Sequence, residues 1–278
     1  MSEKVLTGKG VGVAILDTGI FPHIDFDSRI AAFCDFIGQR KRPYDDNGHG
    51  THVAGLIMGS GKGSKGRYAG AAPQSHAAVL KVLDRHGNGS VRDVMKALRW
   101  VKENGTSYGI RIINISVGTI GGVTANSRQL VDGVEELWDE GYVVVTAAGN
   151  MGPAPGSVTA PGSSRKVITV GSSDLLEGAG GISGSGPTSD CVCKPDVVAP
   201  GARIISCAPK GRGLYAAKSG TSMSTPQVSG AIALLLEREP QLTNVEVKML
   251  LRESAVDLGY HRNRQGWGLF RKEKFLSM

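Results

Sequence analysis

The stretch Val13-Ala14-Ile15-Leu16-Asp17-Thr18-Gly19 decides how this chain folds. Apolar residues run without a polar break into a carboxylate and then a glycine. A continuous apolar run is the pattern of a strand buried on both faces, as in a parallel sheet. Asp17 then stands at the C-terminal end of that strand, the edge where ligands and chemistry gather in open α/β sheets.

Outward from this strand the chain alternates between two periodicities. Residues 12–17, 77–83, 111–115, 142–148 and 167–170 read as strands. Between them, 91–104 carries apolar residues at 91, 94, 95, 98 and 101, one face of a helix. Ser90 is placed to cap its start, Asp93 falls in its first turn, and Gly105 ends it. Residues 128–140 predict a helix closed by Gly141, and 228–236 a buried one. Thr243-Asn244-Val245-Glu246 is a capping box in front of 247–252. Strand–helix alternation predicts an α/β fold: a mostly parallel sheet flanked by helices on both faces. No repeat or linker divides it, so 1–278 is expected to form one domain.

Composition narrows the function classes. Hydrophobic residues make up 40% and charged residues 21%, as in an ordinary globular protein. No apolar stretch approaches the ~18–20 residues of a membrane span, and residues 1–10 lack the apolar core of a signal peptide. Neither membrane association nor a leader or prodomain within the chain is expected. The net charge of +7 is scattered and aromatics are only 5%, which argues against nucleic acid as a partner. Nothing in the sequence sets the oligomeric state. Cys34, Cys191, Cys193 and Cys207 show no disulfide-framework spacing, and Cys191-Val192-Cys193 is a poor zinc half-site. Free thiols in a reducing, cytoplasmic compartment are expected, with secretion after loss of a leader as the alternative. The glycine-rich segments 8–12 and 59–66 fit neither a dinucleotide fingerprint nor a phosphate loop.

Two further motifs carry chemistry. In Asn47-Gly48-His49-Gly50-Thr51-His52-Val53-Ala54-Gly55, His52 opens a run of small residues able to pack as a helix against the sheet. In Gly220-Thr221-Ser222-Met223-Ser224-Thr225-Pro226, Ser222 stands at the start of a helix. Unpaired backbone N–H groups and the helix dipole there favour developing negative charge. Either motif alone has an ordinary reading, a core histidine or a capped helix.

Together, in the order Asp17, His52, Ser222, they resemble the subtilisin family of serine proteases, whose triad runs Asp, His, Ser along the chain. The resemblance extends to Gly266-Trp267-Gly268, and Tyr44-Asp45-Asp46-Asn47-Gly48-His49-Gly50-Thr51-His52 is most similar to the intracellular alkaline branch. It implies a single-domain subtilisin-like peptidase, cutting protein or peptide substrates through an acyl-enzyme. His52 is expected to take the proton of Ser222 and return it to the leaving amine, with Asp17 orienting the imidazole. Asn150, ending the strand-like 143–150, matches the family's oxyanion donor. Ser116, Val117 and Gly118 resemble one wall of the primary specificity pocket, and Ala147, Ala148 and Gly149 the other. Gly87 and Gly89 resemble the second edge sandwiching an extended substrate. Small apolar walls suggest hydrophobic residues before the scissile bond.

Catalysis in this family needs no cofactor. The family's calcium site would draw on Asp25 and the loop 59–66, but that loop has two lysines and no asparagine, which argues against calcium and leaves no metal site expected. Two other readings share the fold: a catalytically silent binding or regulatory protein, and a peptide ligase or cyclase. No triad member is missing, against the first, and no docking insertion is evident, against the second.

Overall fold

In the computed structural model, residues 5–119, 124–177, 182–209, 211 and 213–278 are described. β1 (Gly12–Asp17) is buried along its whole length, as its unbroken apolar run requires. It belongs to a sheet of seven strands among the described residues. The others are β2 (Ile30–Asp35), β3 (His76–Lys81), β4 (Ile110–Ile115), β5 (Val143–Ala147), β6 (Ile168–Ser172) and β7 (Val197–Ala199). Their spatial order is β2-β3-β1-β4-β5-β6-β7, and every pairing is parallel. From β1 the chain winds to one side through β2 and β3, then resumes at β4 on the other. The C-terminal end of β1 therefore lies at a reversal of winding, where a crevice opens. Asp17 is at that end.

Among the described residues, five longer helices flank the sheet: α1 (His49–Met58), α2 (Val91–Asn104), α3 (Ala125–Asp139), α4 (Thr221–Arg238) and α5 (Asn244–Ser254). The side chain of Ser90 caps α2 by accepting the N–H of Asp93, and Thr243 and Glu246 close a reciprocal capping box on α5. α4 is buried over nearly all its length and packs against β4, β5 and β6, while α1 lies against α4. A separate antiparallel hairpin, β8 (Ile204–Cys207) with β9 (Tyr215–Lys218), packs over α1.

β2, β7 and the hairpin are not anticipated by the sequence pattern. β2 is an edge strand, mostly half-buried, so it has neither the continuous run nor a clean alternation. β7 is only three residues long.

Candidate active site

The site is assembled at the start of α1. The N-cap Gly48 has φ 95° and no side chain to offer, and the capping work falls to Asp45. Its Oδ1 accepts the backbone N–H of Asn47 (3.1 Å) and Gly48 (2.7 Å) and the hydroxyl of Thr18 (2.9 Å). Its Oδ2 accepts the N–H (2.9 Å) and hydroxyl (2.6 Å) of Thr51. Burial pushes the Asp45 carboxyl up, but these donors outweigh it and hold the group below the ordinary carboxylate range. An ionised carboxylate at a helix N-terminus is favourable in its own right. Gly50 lets the first turn sit directly on the end of β1: a Cβ there would collide with the carbonyl of Gly19.

This packing brings His49, the first residue of α1, against Asp17. The Nδ1 of His49 lies 2.7 Å from Asp17 Oδ1 and 2.9 Å from Oδ2. Asp17 is wholly buried, whereas the His49 side chain keeps 23% of its surface. Burial pulls the imidazole pKa down, but the Asp17 charge and hydrogen bond overcome it, so the net shift is upward.

The histidine expected in this position was His52, and the structure corrects that assignment. His52 is one turn further along α1 and fully buried. Its Nε2 lies 3.0 Å from each of the Ile204 and Ala216 carbonyls, on the two strands of the hairpin, and its Nδ1 has no partner among the described residues. Burial depresses its pKa to about 4, so it is neutral and fixed as a donor to the hairpin. It is a clamp between α1 and β8–β9, turned away from Asp17.

Ser222 occupies the first turn of α4, as its motif predicts, and is 9% exposed. Its hydroxyl donates to the carbonyl of Ser116 at 2.9 Å, and no hydrogen bond joins it to His49 among the described residues. Pro226, four residues on, has no N–H to give the Ser222 carbonyl, which the Ser116 hydroxyl approaches at 3.5 Å instead. Behind this pair, Ser229 donates to Asn114 Oδ1 (2.9 Å), and Asn114 donates to the Ser116 hydroxyl (3.0 Å). A buried polar chain thus ties α4 to β4 at the serine.

Asn150 is exposed beyond the end of β5. Its Oδ1 accepts the N–H (3.0 Å) and hydroxyl (3.2 Å) of Thr221, the residue before Ser222. With the carbonyl oxygen held there, the amide nitrogen is left as a donor beside the serine. Gly87, Gly89, Ser116, Val117 and Gly118 line one cleft of about 720 Å³ together with His49. Ala147, Ala148 and Gly149 stand next to that wall across the β4–β5 pairing.

Asp25, the carboxylate that a calcium ion would need, is engaged by protein donors. Gly63 N–H reaches Oδ1 (2.8 Å), and the Tyr215 hydroxyl (2.9 Å) and Cys207 thiol (3.6 Å) reach Oδ2. The loop 59–66 presents Gly63 to it as a donor, where calcium would require an oxygen acceptor. This arrangement does not fit the ion.

Two positioning residues escape the sequence reading. Asp45 carried a signal, an acidic residue just ahead of a helix start. Lys81 carried none: it is wholly buried, pairs in register with Asp17, and donates to the Thr18 and Leu83 carbonyls and to Asp46.

An imidazole oriented by a buried carboxylate, a serine at a helix start and an amide donor beside it define the class of serine hydrolases with an Asp-His-Ser arrangement. Residues 8–268 match the subtilase family, and the chain belongs to it. It is 41% identical over 273 residues to serine protease AprX of Bacillus subtilis (strain 168), covering 90% of this chain and 62% of AprX. It is 36% identical over 271 residues to subtilisin Savinase of Lederbergia lenta, covering 98% and 92%. A cold adapted subtilisin-like serine proteinase superposes with a TM-score of 0.76 at 30% identity, covering 98% of this chain and 90% of that one. The chain thus spans less than two thirds of the length of AprX and nearly all of Savinase.

Proposed function

We propose that this chain is a serine endopeptidase in which Ser222 attacks, His49 moves the proton and Asp17 orients the imidazole. The observation that carries the reading is the His49–Asp17 pair, since a hydrogen-bonded Nδ1 leaves Nε2 as the basic nitrogen. The Ser222 hydroxyl waits on the Ser116 carbonyl. A substrate strand pairing with the wall Ser116–Gly118 competes for that carbonyl and frees the hydroxyl toward His49. As the tetrahedral intermediate forms, its oxyanion takes hydrogen bonds from the Asn150 amide and the Ser222 N–H. His49 then protonates the leaving amine, and water repeats the sequence on the acyl-enzyme.

The substrates are unfolded or extended protein and peptide segments, because the cleft between 87–89 and 116–118 suits backbone pairing, which reads little side-chain identity. The reaction uses no cofactor, and the capture of Asp25 by Gly63 and Tyr215 supports a fold that holds without calcium. No helix among the described residues is long and apolar enough to cross a membrane. Four free cysteines, Cys191 and Cys193 exposed, favour a reducing compartment.

A fluorophosphonate probe tests the reading. Labelling of Ser222, abolished in Ser222→Ala and in His49→Ala but retained in His52→Ala, is expected. Labelling lost on substitution of His52 and retained without His49 would reverse the assignment, and no labelling at all would favour a silent protein. Product masses separate hydrolysis from ligation.

A further inference from the structure

We infer that the basic face of α2 selects substrates that carry a short acidic run upstream of the cleaved bond, with Arg92 and Arg99 as the residues that read it. This rests on the endopeptidase reading and on the two edges that hold an extended substrate.

The cleft does not stop at those edges. From His49 it passes Gly87 and Gly118 and continues over Ser90, Val91 and Asn126, at the starts of α2 and α3. The same three residues line a second hollow of about 520 Å³, so the two depressions run into each other. Edges as short as 87–89 and 116–118 hold about three residues of an extended chain. Ser116–Gly118 is the wall for residues before the scissile bond, so the part of a substrate that follows the cleft onward over the first turn of α2 is its upstream part.

Charge along this route has one sign. Arg92, Lys96 and Arg99 line the second hollow, and none of the described residues around it is acidic. Spaced by four and by three, they fall on one face of α2, and all three are exposed. Asp93, in the same turn, is already engaged: it accepts the Ser90 hydroxyl (2.7 Å) and the Lys96 ammonium (3.0 Å). That pair neutralises Lys96 and leaves Arg92 and Arg99, neither of which forms a salt bridge or hydrogen bond among the described residues. Between these two arginines the helix rises about 10 Å, the length of roughly three extended residues. A run of two or three glutamates or aspartates therefore matches the row in length as well as in sign. Guanidinium forks suit the task, since they take a carboxylate through two parallel hydrogen bonds.

The test uses peptides with identical residues around the cleaved bond and a block of three Glu, three Gln or three Lys, placed either upstream of the segment held by the edges or downstream of the bond. With the upstream block at low salt, the wild type is expected to give kcat/KM about 10-fold higher for Glu than for Lys, with Gln between them. The contact lies away from the reacting atoms, so the difference should sit in KM with kcat nearly unchanged, and it should shrink toward unity at about 1 M salt. Arg92→Gln with Arg99→Gln should bring the Glu-to-Lys ratio to about 2-fold or less. Arg92→Glu with Arg99→Glu should reverse it, while the Gln peptide is cut equally well by all three proteins. Equal cleavage of the Glu and Lys peptides by the wild type, or a preference that both double variants retain, overturns the inference. So does an equal preference with the block downstream, which would trace to the net positive charge of the whole chain. No cleavage of the Gln peptide together with no fluorophosphonate labelling of Ser222 overturns the endopeptidase reading, and this inference with it.

Discussion

His49 Nδ1 lies 2.7 Å from Asp17 Oδ1, while His52, on the next turn of the same helix, holds its Nε2 3.0 Å from two hairpin carbonyls. Two histidines in one motif are thereby given opposite tasks. One is kept basic by a carboxylate, and the other is kept neutral by burial.

Substitution separates them. His49→Ala should remove turnover by roughly 10⁶-fold, a magnitude known for subtilisin itself. His52→Ala should leave kcat/KM per folded molecule within a few-fold but lower the unfolding temperature, because the Ile204 and Ala216 carbonyls lose a buried donor worth about 1–3 kcal/mol. Parallel kinetics and thermal unfolding decide it.

Activity should rise with pH as His49 loses its proton, since only the neutral imidazole accepts from serine. Asp17 raises the His49 pKa above its ordinary value near 6.5, so the limb of the kcat/KM profile should fall above that pH. A limb near pH 4, where His52 titrates, would point to the other histidine.

Stability should show the reverse signature of His52. With a folded pKa of about 4 against an ordinary 6.5, the unfolded chain binds a proton that the folded one refuses throughout that window. The stabilisation is full above pH 6.5 and is lost as pH falls toward 4, by about 3 kcal/mol in all. Denaturant unfolding at several pH values should show this loss, and His52→Gln should remove its share of it.

Asp45→Ala should unpair the donors gathered at the start of α1, costing roughly 3 kcal/mol in stability. It should also loosen the seat of His49, and misplacing a reacting group by about 1 Å costs on the order of 10²-fold in rate. The expected result is a fall in kcat with KM nearly unchanged. A shift in KM alone would mean that Asp45 acts on the cleft instead.

Asn150→Ala should lower kcat by roughly 10²–10³-fold with little change in KM, the size known for a subtilisin oxyanion asparagine. The Asn150 oxygen also receives Thr221 N–H, so Asn150→Asp keeps that acceptor while placing a charge near the oxyanion. Single-turnover kinetics should show acylation slowed at least as much by Asn150→Asp as by Asn150→Ala.

Much of this molecule was legible in its residues because local chemistry and global packing agree. β1 announces itself through an unbroken apolar run ending in Asp17, and α2 through Ser90 at its cap and Gly105 at its stop. Ser222 and Asn150 stand where their motifs put them, at a helix start and beyond a strand end. His49 and His52 are different. Both belong to the first turns of one helix, and which of them meets Asp17 depends on Gly50 seating that helix on the carbonyl of Gly19. No periodicity encodes that contact.

Asp17 ends the first strand of the sheet, and Ser222 begins a helix that follows the last. Between them the chain must lay down every other parallel strand, each pairing across a long crossover. The hydrolytic machinery consequently has no partial form: a growing or half-folded copy lacks the serine or its seat, and can be cut but cannot cut. Latency during synthesis is a property of the topology alone.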